Sequence, residues 1–239
     1  MKIEVWSDFV CPFCYIGKRR FEQALAKFPH QNHVEVIYRS FELDPHADRD
    51  SKHDTHEMLA AKYGMSYEQA QAMTNNVAQQ AAGVGLTFHF NTAIQTNTFD
   101  AHRLMYFAAR HGKMHEMTER LLRAHFTDSE HIGNHKILVA LAKEIGLDPN
   151  ETANMLAGEE YAEEVRKDEQ EARTIGVQGV PFFVINRKYA ISGAQPSEVF
   201  LSALEKAWSE EQPLTILHDS AGDGCTDIAC APNSENEAK

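Results

Sequence analysis

Cysteine is scarce: four in 239 residues, too few for a disulfide scaffold. Positive charge is short as well. Lys and Arg number 23 against 35 Asp and Glu, and the formal net charge of −12 argues against nucleic acid or an anionic membrane as the main partner. No apolar run is long enough to span a bilayer. The start, Met1-Lys2-Ile3-Glu4-Val5-Trp6, runs into a strand pattern without the basic region, apolar stretch and cleavage site of a secretory leader. A soluble cytoplasmic protein is therefore expected. With 43% hydrophobic residues the chain can fill the core of one elaborated domain or two closely packed ones.

What cysteine there is falls in an informative place. Cys11-Pro12-Phe13-Cys14 follows a short strand pattern and opens an amphipathic helix expected over residues 12–28. Two cysteines three apart share one side of a helical turn, close enough for a disulfide to open and close with little backbone movement. A thiolate there faces unpaired amide N–H groups and the positive end of the helix dipole. Phe21, Leu25 and Phe28 form the apolar stripe, and Cys14, seven residues before Phe21, lies on it. Cys11, at the helix cap, is the expected nucleophile and Cys14 the resolving thiol. Pro12 favours the helix start, and Lys18, Arg19 and Arg20 are expected to add positive charge nearby. A zinc site would need a second pair at ligand spacing. Cys225 and Cys230, five positions apart, do not supply it, and no metal is expected.

Residues 3–6 and 34–41 read as strands flanking the helix, the second as a buried parallel strand. Residues 180–185 and 189–191 read as a hairpin, followed by a helix over 196–208 capped by Ser197. Helical patterns dominate between. Ser66 with Gln69 forms a capping-box pattern, Thr98 or Asn97 can cap the next helix, and Asp148-Pro149 marks another start. A weak strand pattern covers 86–90, and the helix over 161–175 returns the chain to the sheet. The expected organisation is an α/β core (1–44 and 161–208), an inserted helical subdomain (45–160) and a polar tail (209–239) carrying Cys225 and Cys230.

A CxxC at the first helix of a strand-helix-strand unit, a helical insertion and Gly179-Val180-Pro181 before a hairpin resemble the thioredoxin superfamily, specifically the DsbA-like proteins. The stretches 5–18, 41–45 and 97–104 resemble its FrnE-type branch, some members of which carry a second, C-terminal cysteine pair like Cys225 and Cys230. The resemblance implies a thioredoxin-like fold with a large helical insertion and a thiol-disulfide oxidoreductase or isomerase. It further implies a cis Val180–Pro181 peptide beside the dithiol, where the preceding backbone can pair with an extended substrate. Pro181 would then act with the cysteines, and Val180, Pro12 and Phe13 would meet the substrate. Strongly oxidising DsbA proteins have His where this chain has Phe13, which offers a thiolate neither hydrogen bond nor charge, so a less oxidising couple is expected.

Partners are expected to be protein or small-molecule thiols and disulfides. No cofactor is required, and glutathione is a candidate co-substrate. The competing readings are a glutathione-dependent isomerase or transferase of the hydroxychromene-carboxylate isomerase or kappa type, whose relatives use serine at the position of Cys11, and a non-catalytic redox sensor. Asp8, three residues before Cys11, is an auxiliary candidate for moving the Cys14 proton through water, and Cys225 and Cys230 for a second dithiol. His46, His53 and His56 lie among acidic residues but not at metal-ligand spacing. Phe99, Met105, Tyr106 and Phe107 read as core, with a substrate groove as the alternative.

Overall fold

The computed structural model describes residues 1–51 and 53–210. Strand β1 (Lys2–Ser7) leads into helix α1 (Pro12–Lys27), a single 3-10 turn (Gln31–His33) and strand β2 (Glu35–Ser40). Helices α2 (Thr55–Tyr63), α3 (Tyr67–Ala82), α4 (Phe99–Arg110), α5 (Met114–Phe126), α6 (His135–Glu144), α7 (Pro149–Ala157) and α8 (Ala162–Thr174) follow. Hairpin β3 (Phe182–Ile185) and β4 (Tyr189–Ser192) and helix α9 (Ser197–Ser209) complete the fold.

The sheet order is β2-β1-β3-β4, with β1 parallel to β2 and antiparallel to β3. Side chains alternate across a strand, so the central strands sort their residues to two faces. Ile3, Val5, Phe183 and Ile185 join the main core, where Phe21 of α1 meets Phe183 and Phe200 at ring distances of 5.5 and 5.8 Å. Trp6 and Val184 turn to the other face, against Ala172 of α8, and the Trp6 indole donates to the Asp168 carbonyl at 3.0 Å. Glu4 is buried on that face as well. Burial pushes its carboxyl up, but hydrogen bonds from Arg39 and Arg187 outweigh this and hold it below the usual range. The main apolar core runs without a break from the sheet through α4, α5 and α6.

Several local expectations are met and others corrected. Ser66 and Gln69 form a reciprocal capping box, and Asp148 caps α7 through the amides of Asn150 and Glu151. Ser197 is not a cap: Pro196 holds that position, and the Ser197 hydroxyl donates to Glu198. Thr98 occupies the cap of α4 without a side-chain bond, and the Asn97 side chain accepts from the Phe99 amide instead. Residues 86–90 form no strand: the His89 amide bonds to the Phe126 carbonyl on α5, a helix end rather than a sheet edge. β2 is parallel as expected but half-buried, because it is an edge strand. The α1 cations do not face the dithiol as free charges. Lys18 and Arg19 are engaged by Glu22 and Glu119, and Arg20 bonds the Ala194 carbonyl.

Candidate active site

The chain leaves β1 at Ser7 and turns into α1 through Asp8, whose carbonyl accepts from the Cys11 amide at 3.3 Å. Cys11 is the N-cap, with extended backbone (φ −90°, ψ 111°), and Pro12 opens the helix. No side chain caps α1 and its first turn has no acidic residue, so the N–H groups at its start are not engaged by a carboxylate. Cys14 points inward as the stripe predicted. It is 2% exposed, and its sulfur accepts from the Asp8 amide at 3.5 Å. Burial above all, and then the neighbouring Cys11, push the Cys14 thiol well above its ordinary value.

Cys11 is 5% exposed, and its thiol donates to the Val180 carbonyl at 3.5 Å, directly before the cis Val180–Pro181 peptide. The close approach of this loop explains Gly17, one turn into α1. A Cβ there would stand 2.9 Å from Pro181 Cγ and 3.4 Å from the Ala194 backbone. Pro181 is buried, Pro12 half-buried, and Phe13 39% exposed at the helix start. Both described cysteines are free thiols, whereas Cys225 and Cys230 lie outside the described residues.

Asp8 is buried, but its carboxylate is directed elsewhere than Cys14. It accepts from the Phe9 amide at 2.7 Å and the Leu43 amide at 2.8 Å, and His102 Nε2 stands 3.3 Å away. It is the backbone of Asp8 that touches Cys14. Asp8 thus ties the dithiol turn to the 41–45 segment and to α4. Behind it, burial pushes the Glu42 carboxyl up, an effect opposed by His102 and Arg166. Sequence reasoning gave His102 and Glu42 no role, although both lie in the stretches that carry the family resemblance.

In front of the dithiol lies a cavity of about 910 Å³. Cys11, Pro12 and Phe13 form one wall, and residues of the 43–63 segment, α3 and the end of α5 form the others. Of the four residues weighed for a groove, none lines it. Met105 and Phe107 are core, the Tyr106 hydroxyl donates to the Asp168 carboxylate, and the Phe99 ring carries the Arg166 guanidinium 4.3 Å above its centroid. His46 and His53 are exposed, and His56 is buried against Thr74 at 2.9 Å. Among the described residues no group of three or more His, Cys, Asp or Glu is arranged to hold a metal ion, and no helix is long and apolar enough to cross a membrane.

A free dithiol at a helix start, facing a cis-proline loop across a mixed sheet with helices inserted after β2, is the architecture of thioredoxin-like proteins. The model of the DSBA-like thioredoxin domain matches residues 2–205, and the chain belongs to that family. Its relative in Bacillus subtilis (strain 168), the uncharacterized protein YwbO, is 33% identical over 213 residues, covering 88% of this chain and 96% of the other. The crystal structure of a probable DsbA oxidoreductase, SCO1869 from Streptomyces coelicolor, is 47% identical with a TM-score of 0.85, covering 92% and 95% of the two chains. The cytosolic disulfide reductase DsbM from Pseudomonas aeruginosa, solved with glutathione, shares the fold at 17% identity and a TM-score of 0.62, over 87% of this chain and all of the other.

Proposed function

We infer that the chain is a thiol-disulfide oxidoreductase of the FrnE-like branch, acting through Cys11 and Cys14 in the cytoplasm. The observation that supports this most is the asymmetry of the pair. Cys11 caps an otherwise uncapped helix beside the Val180 carbonyl, whereas Cys14 is held as a buried thiol behind it. In the reducing direction the Cys11 thiolate attacks a substrate disulfide and one substrate thiolate leaves. Cys14 then gives up its proton and attacks Cys11 Sγ, releasing the second substrate thiol and leaving the protein disulfide. The oxidising direction is the reverse.

Pro181 shapes the loop that holds the Val180 backbone against Cys11, and Pro12 and Phe13 form the neighbouring surface a substrate would touch. No metal or organic cofactor is needed for these steps, and glutathione would serve as co-substrate in recycling. Substrates are protein or small-molecule disulfides, and Cys225 and Cys230 would add a second dithiol.

The test is the redox potential of Cys11–Cys14 in glutathione buffers, read by thiol trapping and mass spectrometry with Cys225 and Cys230 replaced by serine. A value of about −120 to −200 mV marks an oxidase or isomerase, and one near about −270 mV a reductase. A pair that does not cycle with thiol substrates would sink the enzymatic reading and leave a redox sensor.

A further inference from the structure

In the second half of the exchange Cys14 must give up its proton inside the protein, where burial above all, and then the neighbouring Cys11, disfavour the thiolate. Hydrogen bonds from the Ser7 hydroxyl and the Asp8 amide act the other way. The Asp8 N–H is aimed at the Cys14 sulfur at 3.5 Å. A donor already in place where negative charge develops lowers the barrier to forming it, so how firmly Asp8 is held bears on how readily the second sulfur reacts.

Two parts of the chain hold Asp8. The segment after β2 is one: the Phe41 amide donates to the Ser7 carbonyl at 3.2 Å, on the same peptide unit as the Asp8 N–H, and the Leu43 amide donates to Asp8 Oδ2 at 2.8 Å. Helix α4 is the other, with His102 Nε2 3.3 Å from Asp8 Oδ1. Oδ1 also accepts from the Phe9 amide at 2.7 Å, but Phe9 is the next residue and moves with the turn. Among the described residues, His102 is the one side chain that meets the Asp8 carboxylate.

His102 is 1% exposed, and its Nδ1 is buried without a hydrogen bond. Its ring lies against Phe9 at 4.7 Å, a contact that leucine or phenylalanine would make without leaving a polar atom unpaired. What histidine adds is a donor at Nε2. A carboxylate accepts and does not donate, so the hydrogen of the ring belongs on the nitrogen that faces Asp8.

We propose that His102 is a positioning residue of the resolving step, holding Asp8 so that its N–H stays on the Cys14 sulfur while charge develops there. The proposal rests on the reading of Cys11 as nucleophile and Cys14 as resolving thiol. In that step Cys14 gives up its proton and attacks Cys11 Sγ, the bond from Cys11 to the substrate sulfur breaks, and the departing thiolate takes up a proton. Two cysteine thiols are oxidised to one disulfide, and the substrate disulfide is reduced to two thiols. His102 itself gains and loses no proton.

The test is a single-turnover reaction of the reduced full-length protein, with Cys225 and Cys230 replaced by serine, with glutathione disulfide. Samples quenched in acid are read by mass spectrometry under nonreducing conditions. The appearance of the glutathione mixed disulfide reports attack by Cys11, and its decay reports resolution by Cys14. Two variants share polarity and differ in reach: the side-chain nitrogen of glutamine falls near the place of Nε2, whereas that of asparagine, one carbon shorter, falls near Nδ1. His102→Asn slows the decay about tenfold, the order expected for one hydrogen bond, so that the mixed disulfide accumulates. His102→Gln decays nearly as fast as the unaltered protein, and the appearance rate is the same in all three. His102→Leu, which packs against Phe9 and has no donor, shows the same slow decay and serves if an amide variant fails to fold. Equal decay in the asparagine and glutamine variants, or a change in appearance and decay together, marks a merely structural histidine and overturns the proposal. If Cys11→Ser forms the mixed disulfide as fast as the unaltered protein, the nucleophile assignment falls, and with it the step that His102 serves.

Discussion

The two sides of the dithiol are built on opposite principles. Behind it, hydrogen bonds converge on Asp8: its carboxylate serves two amides and stands beside His102 Nε2, and its amide serves Cys14, although His102 Nδ1 stays buried without a partner. In front of it, the cavity wall is apolar and His125 is left with an orphan nitrogen. The two buried histidines share an unpartnered Nδ1 and differ in that His102 Nε2 also stands 3.3 Å from the Asp8 carboxylate. The paired side fixes sulfur positions, because breaking any one bond leaves a desolvated group behind. The open side leaves space for whatever approaches Cys11.

The comparison can be broken most severely at the sulfurs. Cys11→Ser is expected to reduce disulfide exchange about a thousandfold or more, while Cys14→Ser still attacks and accumulates the mixed disulfide, visible by mass spectrometry under nonreducing conditions. The next effect separates the two sides directly. Asp8→Ala strips the Phe9 and Leu43 amides of their acceptor and is expected to cost roughly 2 to 4 kcal/mol in chemical denaturation. His125→Leu removes no hydrogen bond and is expected to stay within about 1 kcal/mol at pH 7. Equal losses would mean that His125 has a structural partner after all.

Acid sharpens the same contrast. Burial lowers His125 from the ordinary value of 6.5 to about 4, so between those pH values the unfolded chain binds a proton that the folded chain does not. Above about pH 6.5 the ring is neutral in both states and titration costs nothing, whereas as pH falls toward 4 the unfolded chain is favoured by up to about 3 kcal/mol. Urea melts across that window should show the decline, and His125→Leu should flatten it. The smallest effect concerns the close contact on the packed side. Gly17→Ala places a methyl 2.9 Å from Pro181 Cγ and is expected to cost about 1 to 3 kcal/mol and to slow exchange by moving the proline loop. An unchanged melting temperature and rate would show that the loop yields freely.

Much of this was legible in the chain. The α1 stripe placed Cys14 inward, the hairpin pattern gave β3 and β4, and the Ser66–Gln69 and Asp148 signals marked helix starts, because all of these are local and periodic. The candidate groove was not legible. Phe99, Met105, Tyr106 and Phe107 carry the same apolar pattern whether they face a cavity or a core, and they face the core or bond across it. The role of Lys18 and Arg19 was misjudged because Glu119, about a hundred residues away, could not be placed beside them by spacing.

By itself the sequence determined the dithiol, its inward and outward members and the elements that carry them, since helix starts and apolar periodicity are set by neighbours within a few residues. Only the tertiary structure decided which side of Cys11 would be packed and which open. That choice depends on the 41–45 segment and α4 meeting the turn before α1 at Asp8 and on α5 meeting α1, and contacts between residues distant in the chain leave no periodic mark on it.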